Sequence, residues 1–292
     1  MTRGAQAIEK QTRSGKTRAM GESETPVDYL RRLGHGGEGP HDLAIAGLML
    51  ASLDHPGETL DRHRAHLHEI SELADAEAPL ISDVEDGARI LSNLMALHFG
   101  YEGDRLTYDD PKNADLIHVI ARRRGMPVAL GILYIHAARA AGIEACGLNT
   151  PAHFLVLLKK GGAEVMVDPF NGGAMLDPER AAGPPRMGGP ESTHLAEPVS
   201  DTDVLLRLQN NLKVRALEAG NHGRTLEIAK RMVLVGPRKP ELWLDLARLN
   251  ESVGAMGDAR RAYESCLEIA RPGQPLHNEA ALGLSGLKRR IN

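Results

Sequence analysis

The stretch GIEACGLNTPAHFLVLLKKGGAEVMVDPFNGG, residues 142–173, decides the fold. Ile143 to Leu148, Phe154 to Leu158 and Glu164 to Val167 are short apolar or alternating runs, divided by Asn149-Thr150-Pro151 and by Gly161-Gly162. Runs of that length between turn-forming residues read as three antiparallel strands. Upstream the grammar is helical. Ala114 to Arg124 keeps helical spacing through Leu116, Val119 and Ile120 until Gly125 stops it. Pro127 suits the first turn of the next helix, which runs through Leu130, Leu133, Tyr134 and Ala137 to Ala141.

Further out, LAIAGLMLASL from Leu43 is apolar enough for a buried helix, and His55-Pro56-Gly57 breaks it. Leu60 to Ala76 is amphipathic, with Leu60, His63, Leu67, Ile70 and Leu73 or Ala74 on its inner face, and Ala88 to Phe99 is a further helix. Residues 1–40, polar and closed by Gly34-His35-Gly36-Gly37-Glu38-Gly39-Pro40, are expected to be a disordered leader. Prolines and glycines in Gly183 to Pro190 mark a linker, taken as residues 183–202.

From about Asp203 helices return, and a thirty-four-residue register fits two units that start near Arg207 and Pro240. Trp243, Leu246, Ala247, Ala259, Tyr263 and Cys266 fall where a tetratricopeptide repeat places large, small, small, aromatic and small residues. Leu226, Ala229, Met232 and Pro237 hold the comparable places of the first unit, and Glu279 to Arg290 is the expected capping helix. Such stacks offer a concave face to peptides or helices, so a protein or peptide partner is expected on residues 203–292; packing against the first domain alone is the alternative.

Composition excludes several classes. The 292 residues carry 35 Lys and Arg against 39 Asp and Glu, which gives no basic field for nucleic acid, and 3% aromatic residues leave few stacking platforms. No apolar run is long enough for a membrane span and the first thirty residues hold no secretory apolar core, so a cytoplasmic protein is expected. Two distant cysteines, Cys146 and Cys266, do not make a disulfide framework. No cofactor or metal site is expected: His63, His66 and His68 with Glu69 fit no zinc spacing and read as a solvated helix face.

The motifs with chemical character lie between Gly100 and Leu176. They are Gly103, Tyr108, Asp110-Pro111, Asn113, Arg123-Arg124-Gly125-Met126-Pro127-Val128-Ala129-Leu130, Leu133-Tyr134, Pro151-Ala152-His153-Phe154 and Val167-Asp168-Pro169-Phe170-Asn171-Gly172-Gly173. In order and spacing the chain resembles, over residues 42–290, the bacterial SirB-type proteins. These join a transglutaminase-like core to tetratricopeptide repeats, and an animal F-box protein carries a relative of the core. The resemblance implies an α+β fold: a papain/transglutaminase-like core over residues 41–182, with N-terminal helices and antiparallel strands, then an all-α repeat region.

It also implies a site in which a nucleophile at a helix start faces His153 as base, with Asp168 on the next strand fixing the histidine tautomer. A helix N-terminus lowers a thiol's pKa, so the nucleophile belongs at residues 127–129, and the position matching Ala129 is commonly serine in the family. Here Pro127, Val128 and Ala129 supply neither thiol nor hydroxyl. The expected protein is therefore a degenerate, non-catalytic relative that acts through protein contact, its His153 a structural residue hydrogen-bonded to Asp168. The alternative is a hydrolase or acyltransferase in which His153 and Asp168 activate an unexpected nucleophile such as Cys146. Asp104 stands after Gly103 where asparagine is usual in the family, so the resemblance assigns that turn no precise role; the Arg122-Arg123-Arg124 run, the Asp109-Asp110-Pro111 turn and the Gly172-Gly173 pair, which permits a tight turn after Phe170, read as architecture.

Overall fold

Residues 24–150, 153–176 and 197–291 are described by the computed structural model. Helix α1 (Pro26–His35) begins where the Thr25 hydroxyl accepts from Asp28 N at 3.2 Å and Pro26 takes the first turn. Its Leu30 and Leu33 enter the main core. The disordered leader expected over residues 1–40 is thus corrected for this segment. The polar flanks diluted a short apolar stripe (Tyr29, Leu30, Leu33) that needs only one partner surface to order it. Residues 1–23 of that expectation lie outside the described residues.

Helix α2 (Leu43–Ser52) is buried on nearly every side, and Asp42 caps it by accepting from Ile45 N at 3.1 Å. Helix α3 (Asp61–Glu77) turns His63, His66, Leu67, Ile70 and Ala74 inward. The expected solvated histidine face is wrong for two of its members: His63 and His66 are buried, and only His68 stands in solvent. Helix α4 (Val84–Ser92) runs on into a wider π-helical turn, Asn93–His98. Strand β1 (Glu102–Gly103), helix α5 (Leu116–Arg122) and strand β2 (Arg124–Gly125) follow, with β1 and β2 paired in parallel. Helix α6 (Pro127–Ala140) is almost wholly buried.

The quoted stretch forms β3 (Glu144–Asn149), β4 (Phe154–Lys160) and β5 (Ala163–Asp168), antiparallel as expected, in the registers Cys146↔Leu157 and Val156↔Val167. Two strands absent from the sequence reading extend it, β6 (Ala174–Leu176) and β7 (Glu197–Val199), in the order β6-β5-β4-β3-β7. Gly172 and Gly173, with φ of 66° and 76°, make the turn into β6 that their pairing implied. The strand β7 falls inside the expected linker; residues 183–196 of that linker lie outside the described residues.

Alternation along β4 aims Phe154, Val156 and Leu158 into the core beneath α6, while Leu155 and Leu157 join Leu148 in a small cluster on the other face. The Phe154 ring sets the distance between α6 and the sheet. A Cβ on Gly131 of α6 would stand 2.6 Å from Phe154 Cδ1, and one on Gly147 of β3 2.5 Å from Phe154 Cζ.

Two helical hairpins and a last helix close the chain: α7 (Asp201–Glu218) with α8 (His222–Val235), α9 (Pro240–Ser252) with α10 (Met256–Ile269), and α11 (Pro275–Ile291). The first pair shares the main core, through Val204, Leu205, Leu208, Leu212, Ile228 and Met232. The second pair and α11 have their own core around Leu246, Ala247, Tyr263, Cys266 and Ala280.

Charge clamps reinforce that junction. Asp54, in the turn after α2, accepts two hydrogen bonds from Arg231, at 2.8 and 2.6 Å, and two more from Arg224. Burial alone would raise its pKa; the two guanidiniums outweigh burial and hold it down at about 2, against an ordinary 3.8. The folded value lies below the unfolded one. The contribution is therefore complete above about pH 4 and lost as pH falls toward 2. Asp54→Ala is expected to cost about 2 to 4 kcal/mol by urea unfolding at pH 7, because it strands two partly buried arginines. The gap to wild type should narrow below pH 4; an unchanged midpoint at pH 7 would show the clamp to be ornamental.

Candidate functional site

Helix α6 starts at Pro127 after Met126, and no side chain caps it. The amides of such a first turn lack intrahelical partners and carry the positive end of the helix dipole. In front of it lies a small open cleft lined by Tyr108, Met126, Pro127, Val128, His153, Phe154, Arg207 and Asn211. The helix start is locked from behind: Met126 N donates to Asn113 O at 3.0 Å, and Arg122 bonds both Asn113 and the Asp104 carboxylate. Hydrogen bonds from Thr107, aided by Arg122 against the cost of burial, hold the Asp104 carboxyl well below the usual carboxylate range. Arg123, at φ 57°, turns away from the cleft, donating to Tyr101 Oη at 2.6 Å and packing on the buried His66 ring. Both arginines are architectural, as the sequence reading held.

His153 and the helix start do meet in the cleft, as expected. His153 is exposed and sits just before β4, its backbone pinned by Thr150: His153 N donates to Thr150 Oγ1 at 2.9 Å, and Thr150 Oγ1 donates to His153 O at 2.6 Å. Asp168 is elsewhere in the chemistry. It is buried at the end of β5, with Oδ1 accepting from Phe170 N at 2.9 Å and Asn171 N at 3.3 Å, and Oδ2 from Asn171 Nδ2. The expected His153–Asp168 hydrogen bond does not form; among the described residues no bond or ion pair joins them. Register gives the reason. With Val156 opposite Val167, Asp168 comes level with Leu155, and His153 lies two residues further on, outside the ladder.

The nucleophile position is filled by apolar groups. Pro127 and Val128 are buried but line the cleft, while Ala129 is buried and absent from its lining. Cys146, the alternative nucleophile, sits opposite Leu157 and packs with the cluster on the sheet face away from Phe154. Burial pushes its thiol pKa up, the reverse of what a nucleophile needs. His153 is the single metal-ligand type in the cleft lining.

Arg207 and Asn211, which the sequence reading assigned only to a repeat unit, form the second wall. Arg207 donates to His153 O at 3.3 Å and covers the Phe154 ring at 5.7 Å; burial draws its pKa below the ordinary value. Two turns on, Arg215 holds the loop that carries Tyr108, through Asp109 O at 3.1 Å. The i, i+4, i+8 spacing of Arg207, Asn211 and Arg215 was a visible signal of one helix face directed at a common target.

Comparison with known proteins accords with this architecture. The profile of the transglutaminase-like superfamily matches residues 61–210, half of the chain. The chain belongs to the transglutaminase-like superfamily. A tetratricopeptide-repeat profile matches residues 212–281, so this superfamily core is joined to a repeat region. A UPF0162 protein of Xylella fastidiosa (strain Temecula1) is 34% identical over 173 residues, 56% of this chain and 62% of the relative. A UPF0162 protein of Vibrio cholerae is 33% identical over 111 residues, 37% and 41% of the two chains. The mouse F-box only protein 21 is 26% identical over 98 residues, 32% of this chain and 16% of that one. The match to the Xylella relative thus spans less than two thirds of that protein's length.

The two candidate residues should separate in a stability assay. His153→Ala is expected to shift the unfolding free energy by less than about 0.5 kcal/mol, as an exposed side chain does. Asp168→Ala should cost about 1 to 3 kcal/mol, since it leaves buried amides of the Pro169–Asn171 turn unpaired. Equal and large losses in urea titrations would restore a coupled pair.

Proposed function

We propose that the chain is a non-catalytic member of its superfamily that works by binding another protein or peptide. The observation that carries this reading is the cleft itself: a helix start that presents Pro127 and Val128 where acyl-transfer chemistry needs a thiol, facing a histidine that has no carboxylate partner among the described residues. Asp168 is committed to its own turn, so nothing on β5 fixes the His153 tautomer. What the cleft retains suits recognition. It has donor amides at the helix start, a half-buried guanidinium from Arg207, the Asn211 amide and a half-exposed Tyr108 ring.

The repeat region supports the same reading. Tetratricopeptide arrays generally mediate contacts between proteins, and here helix α7, whose Arg207 and Asn211 line the cleft just before the repeat match begins at residue 212, leads from the cleft into the repeats, so a ligand extending along α7 would touch both. A hydrolase reading through Cys146 gains no support, because that thiol is on the wrong face and its pKa is raised.

The test is to install the missing thiol. Wild-type protein is expected to show no amide hydrolysis or transamidation, and alkylation of Cys146 should change nothing. Val128→Cys should react with iodoacetamide faster than a surface thiol at neutral pH, and the gain should fall in a His153→Ala background. Ala129→Cys, outside the cleft lining, should react slowly. Wild-type turnover that disappears in Cys146→Ser with the fold intact would overturn the non-catalytic reading.

A further inference from the structure

A second group of chemically capable side chains lies outside the cleft, where the turn after α2 meets the start of α5. His55 comes from that turn, and Asp115 and His118 come from α5. One ligand atom from each of the three lies within 4.8 Å of the other two. His55 Nε2 is 2.7 Å from Asp115 Oδ2, and the His55 and His118 rings meet edge to face with centroids 5.0 Å apart.

The local chain explains why these atoms point inward together. Asp115 is the N-cap of α5, and its Oδ1 accepts from His118 N at 3.1 Å. That bond fixes the carboxylate and leaves Oδ2 directed at His55. Among the described residues no hydrogen bond engages the His118 ring, so a nitrogen lone pair is available there. On the far side of His55, Glu58 Oε2 stands 3.6 Å from Nδ1. A carboxylate behind one imidazole nitrogen is the arrangement that orients the other nitrogen toward a metal.

An independent observation comes from His63. Its side chain is 2% exposed, and neither ring nitrogen has a hydrogen-bond partner. Burial and Arg62 hold its pKa down, while Glu58 and Asp115 push it up, which puts this uncommitted histidine within the electrostatic reach of the same cluster. Two imidazoles and one carboxylate, with a fourth imidazole or water position nearby, match the nitrogen-rich donor sets that bind zinc and disfavour calcium or magnesium, which take oxygen ligands.

We propose that His55, Asp115 and His118 bind a divalent transition metal of the zinc class, with Glu58 orienting the His55 ring. Bond lengths of about 2.0 to 2.2 Å require the ligand atoms to close around the ion by roughly an ångström, within the reach of side-chain rotation. The metal ties the α2–α3 turn to α5. Its neighbour Asp54 grips Arg224 and Arg231 of α8, so the ion stiffens the segment on which the repeat region is clamped. Histidine spacing in the sequence gave no hint, because His55 and Asp115 are sixty residues apart.

The experiment uses the full, untagged chain, stripped with a chelator and titrated with Zn²⁺ against a chromogenic competitor, with Co²⁺ as a spectroscopic probe. One equivalent should bind, Co²⁺ should give the intense visible bands of a low-coordinate site, and the melting temperature should rise with Zn²⁺ but not with Mg²⁺. Asp115→Asn, which keeps an N-cap acceptor, and His118→Gln should each weaken binding about tenfold or more. His68→Gln, on the exposed face of α3, should leave it unchanged. Should Asp115→Asn fail to fold, His55→Gln and His118→Gln carry the same comparison. No stoichiometric Zn²⁺ binding, or binding undiminished in these variants, would overturn the proposal.

Discussion

Phe154 occupies a space that exists only because α6 and β3 each contribute a glycine to it. The ring is 1% exposed, and added Cβ atoms on Gly131 or Gly147 would fall well inside van der Waals contact. A phenylalanine buried this completely contributes about 3 to 5 kcal/mol against alanine. Its larger effect is geometric. It fixes how closely α6 lies on the sheet, and the residue before it is His153, so the same ring that seats the helix brings the histidine to the helix start. The edge of the ring reaches the cleft, where Arg207 covers it. Any methyl group added at Gly131 lifts the helix and opens the cleft together.

The repeat region is bound into this arrangement rather than appended to it. Helix α7 continues the main core and carries Arg207 and Asn211 to the cleft, while Asp201 at its start accepts two bonds from Arg139, at 2.8 Å each, and one from His41 N at 2.7 Å. Asp54 performs the matching task for α8. Two buried or partly buried carboxylates on opposite sides of the junction therefore restrain the repeats from rotating against the core. A cleft with one wall on α7 needs that rigidity, because a small motion of the helix would part Arg207 from His153.

The three antiparallel strands, the helix starting at Pro127 and the helical pairs beyond residue 201 were legible because each rests on local pattern: alternation, a proline in a first turn, a repeat period. Tyr29, Leu30 and Leu33 were missed because a three-residue apolar stripe in a polar forty-residue segment looks inadequate until α8 is seen beside it. Helical spacing puts His63 on the inner face of α3 although residue type assigns it to solvent, and it leaves His66 at the stripe's edge, where periodicity cannot tell a buried polar residue from an exposed one. The convergence of His153 with the helix start could be expected from resemblance, but its separation from Asp168 could not. That depends on a register in which His153 falls beyond the ladder and on Asn171 competing for the carboxylate. Arg207 was readable as part of a helix face, yet what that face touches is a long-range fact with no local signature.

We propose that a transglutaminase-like scaffold is used here to hold a protein ligand without altering it. The most direct measurement is to identify the ligand by photo-crosslinking from the cleft-facing position 211, purify it, and follow its complex with the full chain by intact-mass spectrometry over time. A non-catalytic cleft should give a reversible complex from which the ligand is recovered with its mass unchanged. Deamidation, cleavage or covalent joining of the ligand, dependent on His153, would contradict it.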